Sequence, residues 1–93
     1  MQIENHILES FTINYPLTRI AALDQFLFVD IETTGFTAKS SSLYLIGTAF
    51  YRDGNWQIRQ WFCETPSEEA AALNALFDFA SSFTHLIHFN GNN

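Results

Sequence analysis

The sequence predicts an α/β fold built on a mixed sheet, and three observations carry that expectation. "FLFVDI", Phe26 to Ile31, is an almost unbroken apolar run, the pattern of a strand covered on both faces. Two stretches rich in aromatic and branched residues, Leu43 to Tyr51 and Trp56 to Cys63, flank an Asp53-Gly54 pair that suits a two-residue hairpin turn. A helical stretch, "ETPSEEAAALNALFDFASSF", then leads into a second short apolar run, "HLIHFNG". A strand that returns after a crossover helix normally lies parallel to one already in the sheet. The expected order is therefore strand, antiparallel hairpin, helix, parallel strand.

Residues 1 to 24 give mixed signals, with a break at Tyr15-Pro16, and read as a lead-in that covers one edge or face of a domain spanning 25 to 93. The first strand runs from Phe26 to Ile31. "TAKSSS", Thr37 to Ser42, is short and polar and reads as a loop. Thr65 and Glu68 have the spacing of a capping box, with Pro66 at the first helical position, so the helix starts there. Leu73, Leu76, Phe77 and Ala80 recur at the spacing of a face laid on a sheet. Glu68 and Glu69 sit at the positive end of the helix dipole, and the helix is expected to run to about Ser82.

Composition bounds the function. A chain of 93 residues, 47% apolar and 16% aromatic, makes one small domain with ample core material and no signature of disorder. No run of 18 uncharged apolar residues occurs and the start lacks a basic, then apolar block, which argues against a membrane span or signal peptide and leads to the expectation of a cytoplasmic protein. Cys63 is the single cysteine; it forms no internal disulfide or Cys-rich zinc site and is expected in the core. Ten acidic residues against four basic ones leave a net charge of −6, which works against unaided binding to a phosphate backbone. Arg19, Lys39, Arg52 and Arg59 are scattered and form no run.

Against that background Asp30 and Glu32 stand out. Side chains along a strand alternate, so both point to one face with their Cα atoms roughly 6.5 Å apart. Phe26 and Phe28 precede them on that face, which places the pair at the carboxyl end of the strand, where open α/β sheets bind ligands. Two like charges in a poorly hydrated place repel one another and cost several kcal/mol to desolvate unless a cation holds them. Oxygen-only ligands without a Cys or His cluster point to Mg²⁺ or Mn²⁺. The competing reading ends the strand before Asp30, so that both acids lie in solvent and "ETTG" is an ordinary turn.

The stretch "FVDIETTGF" resembles the first motif of the DEDD family of 3′-to-5′ exonucleases, within the ribonuclease H-like superfamily; the spacing Asp, any residue, Glu, Thr, any residue, Gly is present. "YLIGTAFYRDGNWQIRQWF" is similar to the hairpin that follows this motif in the bacterial YprB-like ribonuclease H-like group, and "HFNGNN" looks like the start of that group's second motif. In the family that motif continues to a Phe-Asp pair, and the pattern places its Asp two residues beyond Asn93. The resemblance covers Phe26 to Asn93. It implies a ribonuclease H-like mixed sheet, truncated before its second half, and a nuclease that acts on DNA or RNA by two metal ions held by four carboxylates. Asp30 and Glu32 match the first two carboxylates, Asp30 bridging the metals and Glu32 binding the ion that orients the attacking water. Thr33, Thr34 and Asn90 match substrate-contacting positions, although strand-end and turn hydrogen bonding accounts for them equally well.

His88 has no counterpart in the family's motifs, whose catalytic His or Tyr comes later; it is expected to be a packed histidine, as are His6 and His85. Trp56, Trp61 and Tyr44 could stack on bases, but packing explains them more simply. With two of four carboxylates, the chain is expected to be an inactive or nearly inactive fragment. Its exposed sheet edge around His85 to Asn90 invites pairing into a homo-oligomer. Two further readings stay open: a non-catalytic nucleic-acid-binding or protein-interaction module on the same sheet, and an aspartyl phosphotransferase of the haloacid dehalogenase type. The latter wants Asp where this chain has Glu32.

Overall fold

Residues 1–8, 21–34 and 42–89 are described by a computed structural model. They form β1 (Gln2–Leu8), β2 (Phe26–Thr34), β3 (Ser42–Arg52), β4 (Asn55–Phe62), α1 (Glu69–Ala80) and β5 (His85–Phe89). The strands make one five-stranded sheet in the order β1-β4-β3-β2-β5. Every neighbouring pair is antiparallel except β2 and β5, which are parallel. The mixed sheet, its central hairpin and its returning strand are those the sequence predicts.

The hairpin sets the register. Asp53 and Gly54 both take positive φ, 55° and 80°, the turn whose twist matches the strands it joins. Arg52 then pairs with Asn55, Thr48 with Arg59 and Ile46 with Trp61. Even-numbered side chains of β3 and odd-numbered ones of β4 thus share a face. Leu27 and Val29 of β2 join Ile46, Phe50 and Trp61 there, and α1 lays Ala72 and Leu76 over them as the main core. Leu27, Ile46 and Phe50 are fully enclosed, each stabilising the fold by about 1.5–3 kcal/mol relative to exposure. Thr48 is buried among them and donates its hydroxyl to the Arg59 carbonyl at 2.8 Å, so this polar group is satisfied. On the opposite face Phe26 and Trp56 form a second, smaller core with Leu8, Leu23 and Tyr51 against it.

Three expectations are corrected. The lead-in is partly a strand: β1 pairs along the whole of β4 from Gln2 opposite Phe62 to Leu8 opposite Trp56, while Tyr15-Pro16 and the segment Thr37 to Ser41 lie outside the described residues. Second, of the expected helix face Leu73, Leu76, Phe77 and Ala80, Leu76 is buried in the main core and Leu73 and Ala80 pack against it, but Phe77 does not. Phe77 is 66% exposed, and Phe79 goes in instead, its ring 5.0 Å from Phe50, 5.7 Å from Trp61 and 5.2 Å from Phe83. Three edge-on ring contacts, each worth about 0.5–1.5 kcal/mol beyond burial, favour Phe79, and Ala72 lets the helix approach the sheet closely. Third, the helix ends are displaced. Pro66–Glu68 form a 3-10 turn and the α-helix begins at Glu69.

Thr65 does not cap this helix; its hydroxyl meets that of Ser67 at 2.8 Å. Glu68 supplies the reaching-back half of the box, but to Glu64, whose N–H it accepts at 2.7 Å. It also pairs with the Met1 ammonium, which β1 brings alongside. At the other end Ser81 and Ser82 donate their hydroxyls to the carbonyls of Asp78, at 2.6 Å, and Phe79, at 3.0 Å, a local alternative that stops the helix at Ala80. The Thr84 N–H then donates to the Gln25 carbonyl at 3.1 Å, which starts β5 in parallel beside β2.

Candidate functional site

β2 continues to Thr34, with Thr33 paired to Leu43 and Thr34 to Ser42. Both acids therefore lie on a strand, which removes the reading in which it ends before Asp30. Val29 faces the core under α1, so Asp30 and Glu32 point to the other face. Along that face burial falls steadily: Phe26 is enclosed, Phe28 and Asp30 are half-buried, and Glu32 is exposed. The place is wetter than the sequence reading supposes, because no described element covers the sheet beyond Phe28. Desolvation is thus a smaller term than expected, and the mutual repulsion of two neighbouring carboxylates remains.

The strand ends converge there. β5 runs parallel to β2, and its last residue, Phe89, is opposite Asp30, so the carboxyl end of β5 meets β2 at the acid pair, while β2 itself runs on to Thr34. On the other side Asp30 is opposite Gly47, which is opposite Gln60. Gly47 leaves a lane across the sheet from Asp30 toward Gln60, a shallow groove of ≈ 220 Å³ walled by Phe28, Ala49 and Ile58. A methyl group on Gly47 would meet the Asp30 carbonyl oxygen at 3.8 Å, an ordinary contact, so the lane is open by choice of residue and not by steric demand. Just beyond Glu32 the β2–β3 register shifts by one residue. Such a bulge bends a strand and re-aims the side chains next to it.

The other expected site residues divide. Thr33 is exposed beside the bulge, Thr34 is the last residue of the strand, and Asn90 lies outside the described residues. His88 is opposite Val29 and so faces away from the acids, which excludes it as their base. The expectation of packed histidines holds for His85, whose ring is 5.1 Å from that of Phe26. It fails for the exposed His88 and for His6, which is also exposed and lies 3.3 Å from the Glu4 carboxylate. Trp56 and Trp61 are core residues, as expected; the Tyr44 side chain lies outside the description. Cys63 packs against the main core with Sγ 3.8 Å from the Glu68 carbonyl, and burial, then Glu68 and Glu69, push its thiol up, which suppresses thiolate chemistry.

Among the described residues no group of three or more His, Cys, Asp or Glu side chains is placed to hold a metal ion. Asp30 and Glu32 together offer carboxylate oxygens and no nitrogen or sulfur donor, a set that fits part of a hard-cation site. The sequence reading missed the Gly47–Gln60 lane, although the hairpin register places those two residues opposite each other once the turn is fixed.

The sheet, its crossover helix and an acid pair on β2 beside the carboxyl end of the parallel strand β5 define an α/β domain with a carboxylate-bearing strand. Residues 27–93 match the RNase H superfamily. The chain belongs to that superfamily, whose members typically use divalent metals. No curated protein and no solved structure matches it.

Proposed function

We propose that Asp30 and Glu32 are the first half of the carboxylate site of a metal-dependent nuclease of the DEDD exonuclease type, acting on DNA or RNA. The observation that supports this best is their shared face on a strand that runs past them to Thr34. Mg²⁺ or Mn²⁺, when bound, would polarise the phosphodiester and activate water. The chain's own part is to hold the cation with two oxygens, to keep it at the strand edge beside the groove over Gly47, and to offer Thr33 and Thr34 to the terminal nucleotide. With Asn90 completing the substrate contacts, the 93-residue chain alone supplies two of the four carboxylates and turns nucleic acid over slowly or not at all. The setting is cytoplasmic.

The β5 edge is the site of self-association in this reading. β5 is the last strand of the sheet and Leu86 is 62% exposed, a template for another strand. A second reading, a sheet module that binds without chemistry, is favoured by the absence of a third metal-binding side chain among the described residues. Paramagnetic broadening by Mn²⁺ separates the two. Amide signals of Asp30, Glu32 and Gly47 are expected to broaden at substoichiometric ion, and Asp30→Asn to abolish this; broadening confined to other acids of the surface rejects the nuclease reading.

A further inference from the structure

On the face opposite the acids, the structure brings together the two arginines it describes. Arg52 ends β3 and Arg59 lies in β4, and the hairpin register turns both toward the α1 side. Their guanidiniums share two rings: Arg59 Cζ is 4.4 Å from the centre of Phe79 and 5.8 Å from that of Phe50, Arg52 Cζ 5.6 Å and 5.4 Å. Arg52 also lies 5.2 Å from Phe83. Stacking of this kind holds the planar cations in place and leaves most of their N–H edges to other partners. Arg59 Nε donates to Asn5 Oδ1 at 2.7 Å, and Arg52 Nη2 makes a long contact of 3.4 Å to Ser82 Oγ.

Neither arginine has a carboxylate at ion-pair distance among the described residues, although Glu9 alone of the ten acids lies outside them. Burial, and then the neighbouring Arg52, hold the Arg59 guanidinium below the usual arginine range. An anion taking donors from both groups relieves that strain between like charges.

We propose that Arg52 and Arg59 form a binding site for a phosphomonoester, the terminal phosphate of a nucleotide or of a phosphorylated strand end. Charge selects this class. A phosphomonoester carries about −1.5 to −2 at pH 7, which matches two guanidiniums. A carboxylate neutralises only one, and a run of phosphodiesters brings further charge against a chain of net −6. The anion belongs on the Arg59 side of Arg52, because the concavity on the other side, ≈ 660 Å³, is lined by Asp24 and Asp53. The site is independent of Asp30 and Glu32, which face the other way.

The test is an NMR titration of the whole chain in EDTA, which removes any role of the acid pair, following the Arg Nε–H resonances. The probes are inorganic phosphate, a nucleoside 5′-monophosphate, a dinucleoside phosphodiester, and an oligonucleotide with and without a 5′-phosphate. Phosphate and the monophosphate are expected to move both resonances, and the monoester to bind at least tenfold more tightly than the diester. The 5′-phosphorylated strand should outbind its unphosphorylated twin by a similar factor if strand ends are the source; equal, weak binding of both strands beside a strong monophosphate response assigns the site to free nucleotides. Arg59→Gln should abolish binding while Arg59→Lys, which keeps the charge and loses the fork, restores part of it. Should Arg59→Gln unfold the chain, the wild-type titration decides alone. Arginine resonances that stay put under excess phosphate and monophosphate, or that respond equally to monoester and diester, overturn the proposal.

Discussion

Replacing Asp30 with Asn removes one of two like charges from the acid face and keeps the side chain's shape. If the carboxylates are about as far apart as the Cα atoms of alternate strand residues, roughly 6.5 Å, two unit charges repel by about 0.6 kcal/mol under full water screening and about 2.6 kcal/mol at an effective dielectric of 20. Glu32 is exposed and Asp30 half-buried, which sets the value toward the lower limit, about 1 kcal/mol. Without divalent ions Asp30→Asn is therefore expected to melt about 4–8 °C above the wild type for a domain of this size. Mn²⁺ reverses the order. An ion that binds only the folded chain adds about 2.7 kcal/mol at a hundred times its dissociation constant, and the variant, left with one carboxylate, gains far less. Thermal melts followed by circular dichroism, in EDTA and in Mn²⁺, read both halves. If the variant melts below the wild type in EDTA and Mn²⁺ raises the two equally, the acids are not a shared cation site.

Other consequences follow from the packing and the charges. Phe79→Ala should destabilise the fold by about 2–4 kcal/mol in urea denaturation, because a half-buried ring with three aromatic neighbours is lost, whereas Phe77→Ala at 66% exposure should stay within about 0.5 kcal/mol; equal effects would mean that the helix face is wrongly placed. Gly54→Ala should cost about 1–2 kcal/mol through its φ of 80° alone, since nothing lies within 4 Å of the added methyl. The Met1–Glu68 pair predicts stability lost at both ends of the pH scale. Hydrogen bonding to the ammonium holds the Glu68 carboxyl below its ordinary value of 4.5, so its contribution is present above that value and lost as pH falls through the lowered one. The same carboxylate raises the Met1 amine above 8.0, so that contribution is present below 8.0 and lost as pH climbs through the raised value. N-terminal acetylation should abolish the alkaline fall in melting temperature, and a fall that survives acetylation assigns it elsewhere. At the open edge, Leu86→Lys should return any oligomer to monomer in light scattering; a wild type that is monomeric at high concentration removes the premise.

What the sequence conveys of this fold is local chemistry, and what it withholds is decided by partners distant in the chain. Asp53-Gly54 specifies its own turn, and the run from Phe26 can only be a strand. Spacing placed Leu73, Leu76 and Ala80 on the buried side of the helix but could not choose between Phe77 and Phe79, which flank that side; Phe50 and Trp61, on other elements, make the choice. The strand end was set too early, since Asp30 and Glu32 are poor strand formers while the ladder to β3 carries β2 on to Thr34. β1 was missed because its apolar positions, Ile3 and Ile7, stay 53% and 60% exposed and so never needed a strong alternation. The acid pair was legible as a pair because strand alternation alone puts Asp30 and Glu32 on one face. The arginines look scattered only when they are read along the chain. Once the two-residue turn pairs Arg52 with Asn55, Arg59 falls opposite Thr48, an even number of residues from Arg52, and the pleat puts both guanidiniums on the same side. A hairpin turn thus fixes which charges meet as firmly as it fixes which apolar residues do, and a chain that is acidic on average can still present a concentrated cationic site.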